Sequence, residues 1–179
     1  MIEEKSLCAA MRSAWKNSGY EVFARGDSLV ISTSAMGVEM SRRNASRQVL
    51  ALLVMHLGEI PEDAAYSVRK KEGAQQEMLD VAMGHWDSVR NRVDGAERRI
   101  LRRTPMDWKN SGVWQADDTG IVYAFDKALT DIICAEPEDV EIADGLMAYD
   151  DGSSLVVIYP EEGKMTEAVR NLLEQVSLT

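Results

Sequence analysis

Residues 45–59, with the sequence ASRQVLALLVMHLGE, form the most apolar run of helical length in the chain. Asn44 or Ser46 can cap the first turn of a helix here through a side-chain oxygen. Gly58 is a residue type that ends helices in the left-handed region, and Pro61 prevents continuation. Because apolar side chains are spread around more than one stripe, we expect neighbouring elements to cover this helix on most sides. It is therefore predicted to be the centre of the fold.

A β-hairpin is predicted upstream of this helix. Residues 20–25 and 28–33 have strand character and flank a two-residue turn that begins with Gly26, as a type II′ turn requires. In this register one side of the hairpin faces the core. Phe23 and Val30 lie on the other side, where we expect an exposed or partly covered pair.

The rest of the chain mixes helical and strand patterns. Amphipathic helices are predicted over residues 2–18, 74–93 and 164–176, the second with Val81 and His85 on its buried side. Residues 62–72 could form a helix that Gly73 closes, and shorter helical segments are expected over 97–103, before an N-cap at Thr104, and over 126–135. Residues 36–43 are a connection or a third short strand. Two further hairpins are predicted, from residues 113–116 with 121–125 and from 146–149 with 154–159.

These elements together predict an α+β fold. Two or three β-hairpins would form one antiparallel sheet, or two related sheets, packed against the central helix and two or three amphipathic helices. A chain of 179 residues with 45% hydrophobic residues can bury a core of its own. We therefore expect one domain over residues 1–179, or two related lobes at about 1–103 and 104–179.

The pentapeptide WKNSG occurs twice, at residues 15–19 and 108–112, and each copy is followed by a strand, a turn and a second strand. Such an identity arises by chance with odds of roughly one in a hundred, which makes a duplicated helix–hairpin unit a hypothesis. The alternative is convergence, because Asn-Ser-Gly is a common end of a helix. Duplication predicts that both copies end a helix and enter a hairpin.

The whole chain has a net charge of −10, and its acidic side chains are concentrated in the C-terminal part. Residues 104–179 carry four basic and sixteen acidic side chains, whereas residues 1–103 carry sixteen basic and fourteen acidic ones. This balance disfavours nonspecific binding to nucleic acid or anionic lipid and favours basic partners. No apolar run approaches the roughly eighteen residues of a membrane span, and the N-terminus opens acidic where a signal peptide opens basic. The sequence therefore predicts a cytoplasmic protein.

Neither the cysteines nor the histidines show the spacing of a metal site. Cys8 and Cys134 each lie in an apolar, helix-like context, so we expect reduced, buried thiols in preference to a bridge between them. His56 falls in the last turn of the central helix, where the dipole favours the protonated form, and a structural capping role is preferred to a catalytic one. His85 and Cys134 are the one alternative nucleophilic pair.

The carboxylates of the C-terminal part are interpreted as solvated groups of hairpin tips and acidic loops, in preference to a two-carboxylate or magnesium site. They are Asp117, Asp118, Glu136, Glu138, Asp139, Glu141, Asp144, Asp150 and Asp151. The sequence contains no glycine-rich phosphate loop, no calcium-binding loop and no serine-hydrolase elbow. It therefore predicts no catalytic residue, no cofactor and no metal ligand.

Six arginines form the one basic cluster, namely Arg90, Arg92, Arg98, Arg99, Arg102 and Arg103. On a helix they could neutralise phosphates, but no aromatic side chain lies among them for stacking on bases. We expect them to pair with the acidic C-terminal part, within the chain or across a dimer, in preference to nucleic acid. The candidate interaction residues are Arg98, Arg99, Arg102, Arg103, Phe23 and Val30.

The absence of any catalytic or cofactor motif predicts a protein-interaction module without catalytic activity. Ten methionines offer adaptable apolar surface, and opposite charge blocks suit self-association, as a homodimer, or a basic or apolar protein partner. The order of elements resembles that of small acidic α+β chaperone-like proteins, which would imply a chaperone-like role. One alternative is an enzyme whose site is built from dispersed Asp and Glu residues and His85. A second is a weak nucleic-acid-associated protein that uses the arginine cluster.

Overall fold

A computed structural model describes residues 1–134, 140–161 and 167–175. The helices are α1 (Glu4–Lys16), α2 (Arg47–Leu57), α3 (Leu79–Gly95), α4 (Lys127–Thr130) and α5 (Glu167–Glu174). The strands are β1 (Tyr20–Arg25), β2 (Ser28–Ser32), β3 (Met36–Ser41), β4 (Ala64–Arg69), β5 (Gly73–Glu77), β6 (Arg99–Trp108), β7 (Ser111–Ala116), β8 (Val122–Asp126), β9 (Glu141–Ala143), β10 (Leu146–Asp150) and β11 (Ser154–Ile158). Within the described ranges, no helix combines the length and the apolar character needed to cross a membrane.

The described strands form one antiparallel sheet of eleven, in the order β5-β4-β1-β2-β3-β11-β10-β9-β6-β7-β8. The predicted α+β class with an antiparallel sheet is confirmed, although the sheet has more strands than two or three hairpins supply. The early strand β3 pairs with the late strand β11 along five residues, so one sheet joins both parts of the chain. Strand β6 crosses the expected boundary at residue 103, while the division into lobes stays a prediction.

Helices α1 and α2 cover the first face of the sheet. Helix α2 begins after Ser46, whose side chain accepts a hydrogen bond from the backbone N–H of Val49, and it ends at Gly58 with φ of +88°. Both ends of the predicted central helix are therefore confirmed. Its inner side chains pack with residues of α1 and of ten described strands into the larger core. On the two helices the buried residues of this core are Leu7, Cys8, Met11, Val49, Leu52 and Leu53.

The expectation that α2 is covered on most sides is wrong. Only its sheet-facing side is buried, while the side chains of Val54 and Met55 are 45% and 78% exposed. The reason is the layer architecture, in which α2 lies on top of one sheet face and no described element lies above it. An apolar surface therefore remains on the outside of this helix.

Helix α3 covers the second face of the sheet. Trp86 lies directly on Gly37 of β3, where an added Cβ would come within 2.2 Å of the indole ring. The Trp86 Nε1–H donates a hydrogen bond to Glu39 at 2.8 Å. Phe23 and Val30 pack into this second core and are fully buried, so their predicted exposure is wrong. A sheet covered on both faces buries both sides of its central strands.

Three predicted helical segments are strands in the structure. Residues 62–72 contain β4, which pairs with β1 and buries Ala65 on one face of the sheet and Val68 on the other. Residues 74–77 belong to β5, and residues 99–103 begin β6. Pro105 follows Thr104 and lies where the register of β6 shifts, between Arg103 and Asp107. The regular ladder is interrupted there, so the lack of an N–H in proline costs no hydrogen bond. Strand β4 pairs with the distant β1 and β6 with the distant β9, while β5 pairs with its neighbour β4, and this sheet pairing has overridden local helix propensity.

The buried side of the helix predicted over residues 74–93 also differs from the expected one. Ala82, Trp86 and Val93 form the buried side of α3, whereas Val81 and His85 are exposed. At the C-terminus, α5 lies within the predicted 164–176 helix, of which residues 164–166 and 176 lie outside the described residues.

The duplication hypothesis is wrong. Residues 15–19 end α1 and lead into β1, as predicted, with Asn17 as the C-cap. Residues 108–112, by contrast, end β6 and turn directly into β7, with Lys109 at φ of +57°. The second copy is thus the turn of a β-hairpin, and convergence explains the shared pentapeptide.

Both cysteines are free thiols, as expected, but only Cys8 is buried. Burial raises the pKa of the Cys8 thiol, which keeps it protonated and unreactive. Cys134 is exposed, which corrects the expectation of two buried thiols. It follows α4 at the last described position before residue 140.

Candidate functional site

The arginine cluster is held in ion pairs with carboxylates of the same chain. Five of the six arginines pair with the acidic C-terminal part, as Arg92–Asp144, Arg98–Glu141, Arg99–Asp118, Arg102–Asp117 and Arg103–Asp107, and Arg90 pairs with Glu39. The intrachain pairing expected from the charge distribution is therefore present. A phosphate backbone would have to displace these carboxylates, although each exposed pair contributes only about 0–1 kcal/mol.

Phe23 packs in the core and also lines a groove at the surface. A groove of about 180 Å³ runs between α3 and the strands β1, β4 and β5, and we call it the α3 groove. Its lining consists of Glu21, Phe23, Ala65, Tyr66, Glu77, Met78, Val81, Ala82 and His85. The structure thus brings one predicted interaction residue, Phe23, into the floor of this groove, whereas Val30 lies in the core outside it.

The floor and one wall of the α3 groove are apolar. Phe23, Ala65 and Ala82 are buried beneath it, and Met78 and Val81 are 72% and 46% exposed on the wall formed by the start of α3. Large apolar side chains exposed side by side above an apolar floor are typical of a binding surface in a protein of this size. This surface is therefore suited to an apolar side chain of a ligand.

The rim of the α3 groove is acidic. Glu21 of β1 and Glu77 of β5 are exposed, and within the described part of the chain neither carboxylate makes an ion pair or a hydrogen bond. A third carboxylate at the start of α3, Asp80, is already paired with Arg25 at 2.5 Å. Two uncompensated negative charges beside an apolar surface favour a ligand that carries a cation next to its apolar group.

Strand β5 forms one edge of the sheet beside the α3 groove. Among the described strands it pairs with β4 alone, and all five of its residues are exposed. An unpaired strand edge offers N–H and C=O groups to another extended chain. The edge therefore adds a second means of binding next to the groove.

His85 shares the α3 groove with Glu21 and Glu77, which is the grouping that the enzyme alternative would need. Among the described residues the imidazole makes no hydrogen bond to either carboxylate, whereas general acid–base partners lie within about 3 Å of each other. The alternative pair with Cys134 is not assembled. His85 lies on α3, while Cys134 lies two residues after Ile132, which packs in the core on the other face of the sheet.

His56 has an aromatic environment instead of a capping role. Its ring stacks on Trp15 with centroids 4.4 Å apart, and its Nδ1 lies 2.9 Å from the hydroxyl of Tyr20. Burial, together with the nearby Arg12 guanidinium, lowers the pKa of His56. The expectation that the helix dipole favours its protonated form is therefore wrong, because desolvation is the larger effect.

The remaining carboxylates have structural roles. Asp150 and Asp151 accept backbone hydrogen bonds within the β10–β11 turn, from Gly152 at 2.8 Å and from Ser154 at 2.9 Å. Over residues 1–134, 140–161 and 167–175, no group of three or more His, Cys, Asp or Glu side chains is placed to hold a metal ion. Glu136, Glu138 and Asp139 lie outside the described residues.

The sequence did not indicate Glu77 or Met78 as part of a site, because residues 74–93 were expected to be one helix. The available signal was the charged segment at residues 70–72 followed by Gly73, which has φ of +76°. Such a segment between two runs of strand length is typical of a hairpin turn.

Comparison of the chain with protein-family models, curated proteins and solved structures finds no match.

Proposed function

We propose that this protein is a non-catalytic binding module whose α3 groove takes up an extended segment of a partner protein. On the face turned to the groove, the segment carries an apolar side chain and a Lys or Arg side chain. The observation that carries the proposal is the combination of an apolar floor and two unpaired carboxylates beside a free strand edge.

The size of the α3 groove supports a side chain as its occupant. Its volume of about 180 Å³ is below the range of roughly 300–1,000 Å³ that is typical of small-molecule sites. One apolar side chain of a peptide would cover Val81 and the buried Phe23 beneath it. The hydrophobic contribution is then that of one buried side chain, about 1.5–3 kcal/mol.

The charges support a basic neighbour for that side chain. Glu21 and Glu77 both line the α3 groove, and the net charge of −10 attracts cations over a longer range. In an extended peptide, successive side chains point to opposite faces, so apolar and basic groups two residues apart share a face. The peptide backbone can at the same time pair with β5, as in recognition by strand addition.

Fluorescence anisotropy with two labelled peptides tests this proposal. The probe SKSLSKS, in which both Lys side chains lie two residues from the Leu and share its face, should bind the wild-type protein, and SESLSES should bind at least tenfold more weakly. Val81→Asp and the double variant Glu21→Lys/Glu77→Lys should each weaken binding of SKSLSKS about tenfold or more, since they remove the apolar contact or reverse the rim charge. Equal binding of both peptides would contradict the proposal.

A matched control separates the α3 groove from general attraction to an acidic protein. Glu4→Lys/Asp87→Lys changes the net charge by the same amount at two exposed positions outside the groove. We expect this control to bind SKSLSKS nearly as well as the wild type. If both double variants weaken binding equally, the attraction is nonspecific and the proposed site is wrong.

A further inference from the structure

The outer side of α2 is a second exposed apolar surface, on the sheet face opposite to the α3 groove. Ala51, Val54 and Met55 lie on it at helical spacing and are all exposed, and Ile60 continues it past the end of the helix. We call these four residues, with Arg47 and Glu59, the α2 outer face. In the described structure no element covers it.

The two ends of the α2 outer face carry opposite charges. Arg47 is the first residue of the helix, and within the described residues it makes no ion pair or hydrogen bond. Glu59 follows the C-cap, and its carboxylate accepts one hydrogen bond, from the hydroxyl of Tyr66. Both side chains are exposed. Each end therefore presents a charge that no oppositely charged side chain of the described residues neutralises.

Both charges lie at the unfavourable end of the helix dipole. The N-terminus of a helix favours anions and the C-terminus favours cations, yet Arg47 lies at the first and Glu59 just beyond the second. In an isolated copy this arrangement is mildly unfavourable. A carboxylate brought to Arg47 from outside and a cation brought to Glu59 would each remove that cost.

A second copy of the same face supplies both groups at once. Leu57, the last residue of α2, lies ten positions after Arg47, about 15 Å along the helix axis, and Glu59 follows two residues later. Ala51, Val54 and Met55 lie between the two charges. In a two-fold arrangement with the two α2 helices antiparallel, Arg47 of each copy faces the partner's Glu59. A parallel arrangement would place like charges together. The charge pattern is therefore complementary to itself in one orientation only.

We infer that the protein forms a homodimer through the α2 outer face, with antiparallel α2 helices, Met55 and Val54 at the centre and two Arg47–Glu59 ion pairs at the ends. One helix face is smaller than the roughly 800 Å² per partner of a standard interface. The dimer is accordingly a weak one whose dissociation depends on salt as well as on the apolar contact. This inference is independent of the α3 groove.

Sedimentation equilibrium of the full chain at low and high salt tests the inference. The wild type should dimerise in a concentration-dependent manner, and Met55→Glu should be a monomer because two carboxylates would be brought to the centre of the interface. Arg47→Glu and Glu59→Arg should each weaken association about tenfold or more, since each places like charges at both ends. Raised salt should weaken association of the wild type.

The charge-reversed double variant gives the decisive result. Arg47→Glu/Glu59→Arg restores opposite charges across the two-fold axis, so its association should return to within a few-fold of the wild type. Failure of this rescue, or a wild type that stays monomeric, would overturn the inference. Far-ultraviolet circular dichroism confirms that each variant is folded, and Glu59→Gln shows the effect of losing the charge alone.

Val81→Asp in the α3 groove is the matched control, because it adds a carboxylate to the other apolar surface. It should leave the dimer intact while it weakens binding of SKSLSKS, and Met55→Glu should do the reverse. Loss of the dimer in Val81→Asp would assign self-association to the α3 groove and contradict this inference. The two proposals can therefore fail separately.

Discussion

The two copies of WKNSG have the same five residues and two different structures. Residues 15–19 end helix α1, and residues 108–112 form the turn between strands β6 and β7. In the first copy Trp15 is helical and stacks on His56, while in the second Trp108 is the last residue of a strand. The comparison shows that the conformation of a pentapeptide is set by what precedes it and by what it packs against.

The glycines show the difference most directly. Gly19 has φ of +86°, a region that other residues rarely adopt, and a Cβ here would lie 2.5 Å from Arg69 Cγ. Gly112 has no left-handed φ, and a Cβ there would lie 2.7 Å from Arg103 Nε. The first glycine is therefore needed for its backbone conformation and for space, whereas the second is needed only for space.

The largest expected effect is that of alanine at the two glycines. Gly19→Ala should lower the free energy of unfolding by about 2–3 kcal/mol, from the left-handed conformation and the contact with Arg69. Gly112→Ala should cost about 1–2 kcal/mol, because the guanidinium of Arg103 must move. Urea denaturation measures both values.

Double variants separate the two causes. In an Arg103→Ala background, Gly112→Ala should be nearly neutral, because the three atoms nearest to the added Cβ all belong to the Arg103 side chain. In an Arg69→Ala background, Gly19→Ala should still cost about 1 kcal/mol through its backbone conformation. If removal of the arginine rescued both glycine variants equally, the proposed difference between the copies would be wrong.

A smaller effect of opposite sign is expected at the lysines of the two copies. Lys109 has φ of +57°, so Lys109→Gly should raise the free energy of unfolding by about 0.5 kcal/mol. Lys16 is the last residue of α1, so Lys16→Gly should lower it by about 0.5–1 kcal/mol. Thermal or urea unfolding of the two variants checks the signs. The same sign at both positions would show that context does not decide the conformation here.

The smallest effect is a pH dependence that only the first copy should show. Because burial lowers the pKa of His56 below its ordinary value of 6.5, the unfolded chain binds a proton more readily than the folded one. The contribution of neutral His56 to the free energy of unfolding is therefore fully present above pH 6.5 and is lost as the pH falls through the lowered pKa. The free energy of unfolding of the wild type should decline over this window, and that of His56→Gln should decline less.

Substitution of the two tryptophans sharpens this test. Trp15→Ala exposes the imidazole of His56 to water and should reduce the pH dependence, whereas Trp108→Ala in the second copy should leave it unchanged. Urea denaturation at several pH values between about 5 and 7.5 covers the window. A pH dependence that persists in His56→Gln would have to come from another group.

The sequence predicted the local elements best where the signals lie within a few residues. The caps of α2, the β1–β2 turn at Gly26 and the strands around Gly120 and Gly152 all follow from residue types at fixed offsets. The candidate site was predicted less well. The α3 groove joins Glu21 and Phe23 of β1 with Glu77 of β5, and no spacing along the chain indicates that these two strands lie close together.

Sequence by itself determined the ends of α2, the tight turns and the charge distribution that pairs the arginines with the C-terminal carboxylates, because each depends on residue type and short spacing or on overall charge. Only the tertiary structure decided that β4 and β6 are strands, that Phe23 is buried under α3 while Met55 is exposed, and that one WKNSG forms the turn of a hairpin. These outcomes depend on which distant segment pairs with which. Strand pairing and the placement of layers on a sheet gain their free energy from contacts between residues far apart in the chain, and local propensity yields to them.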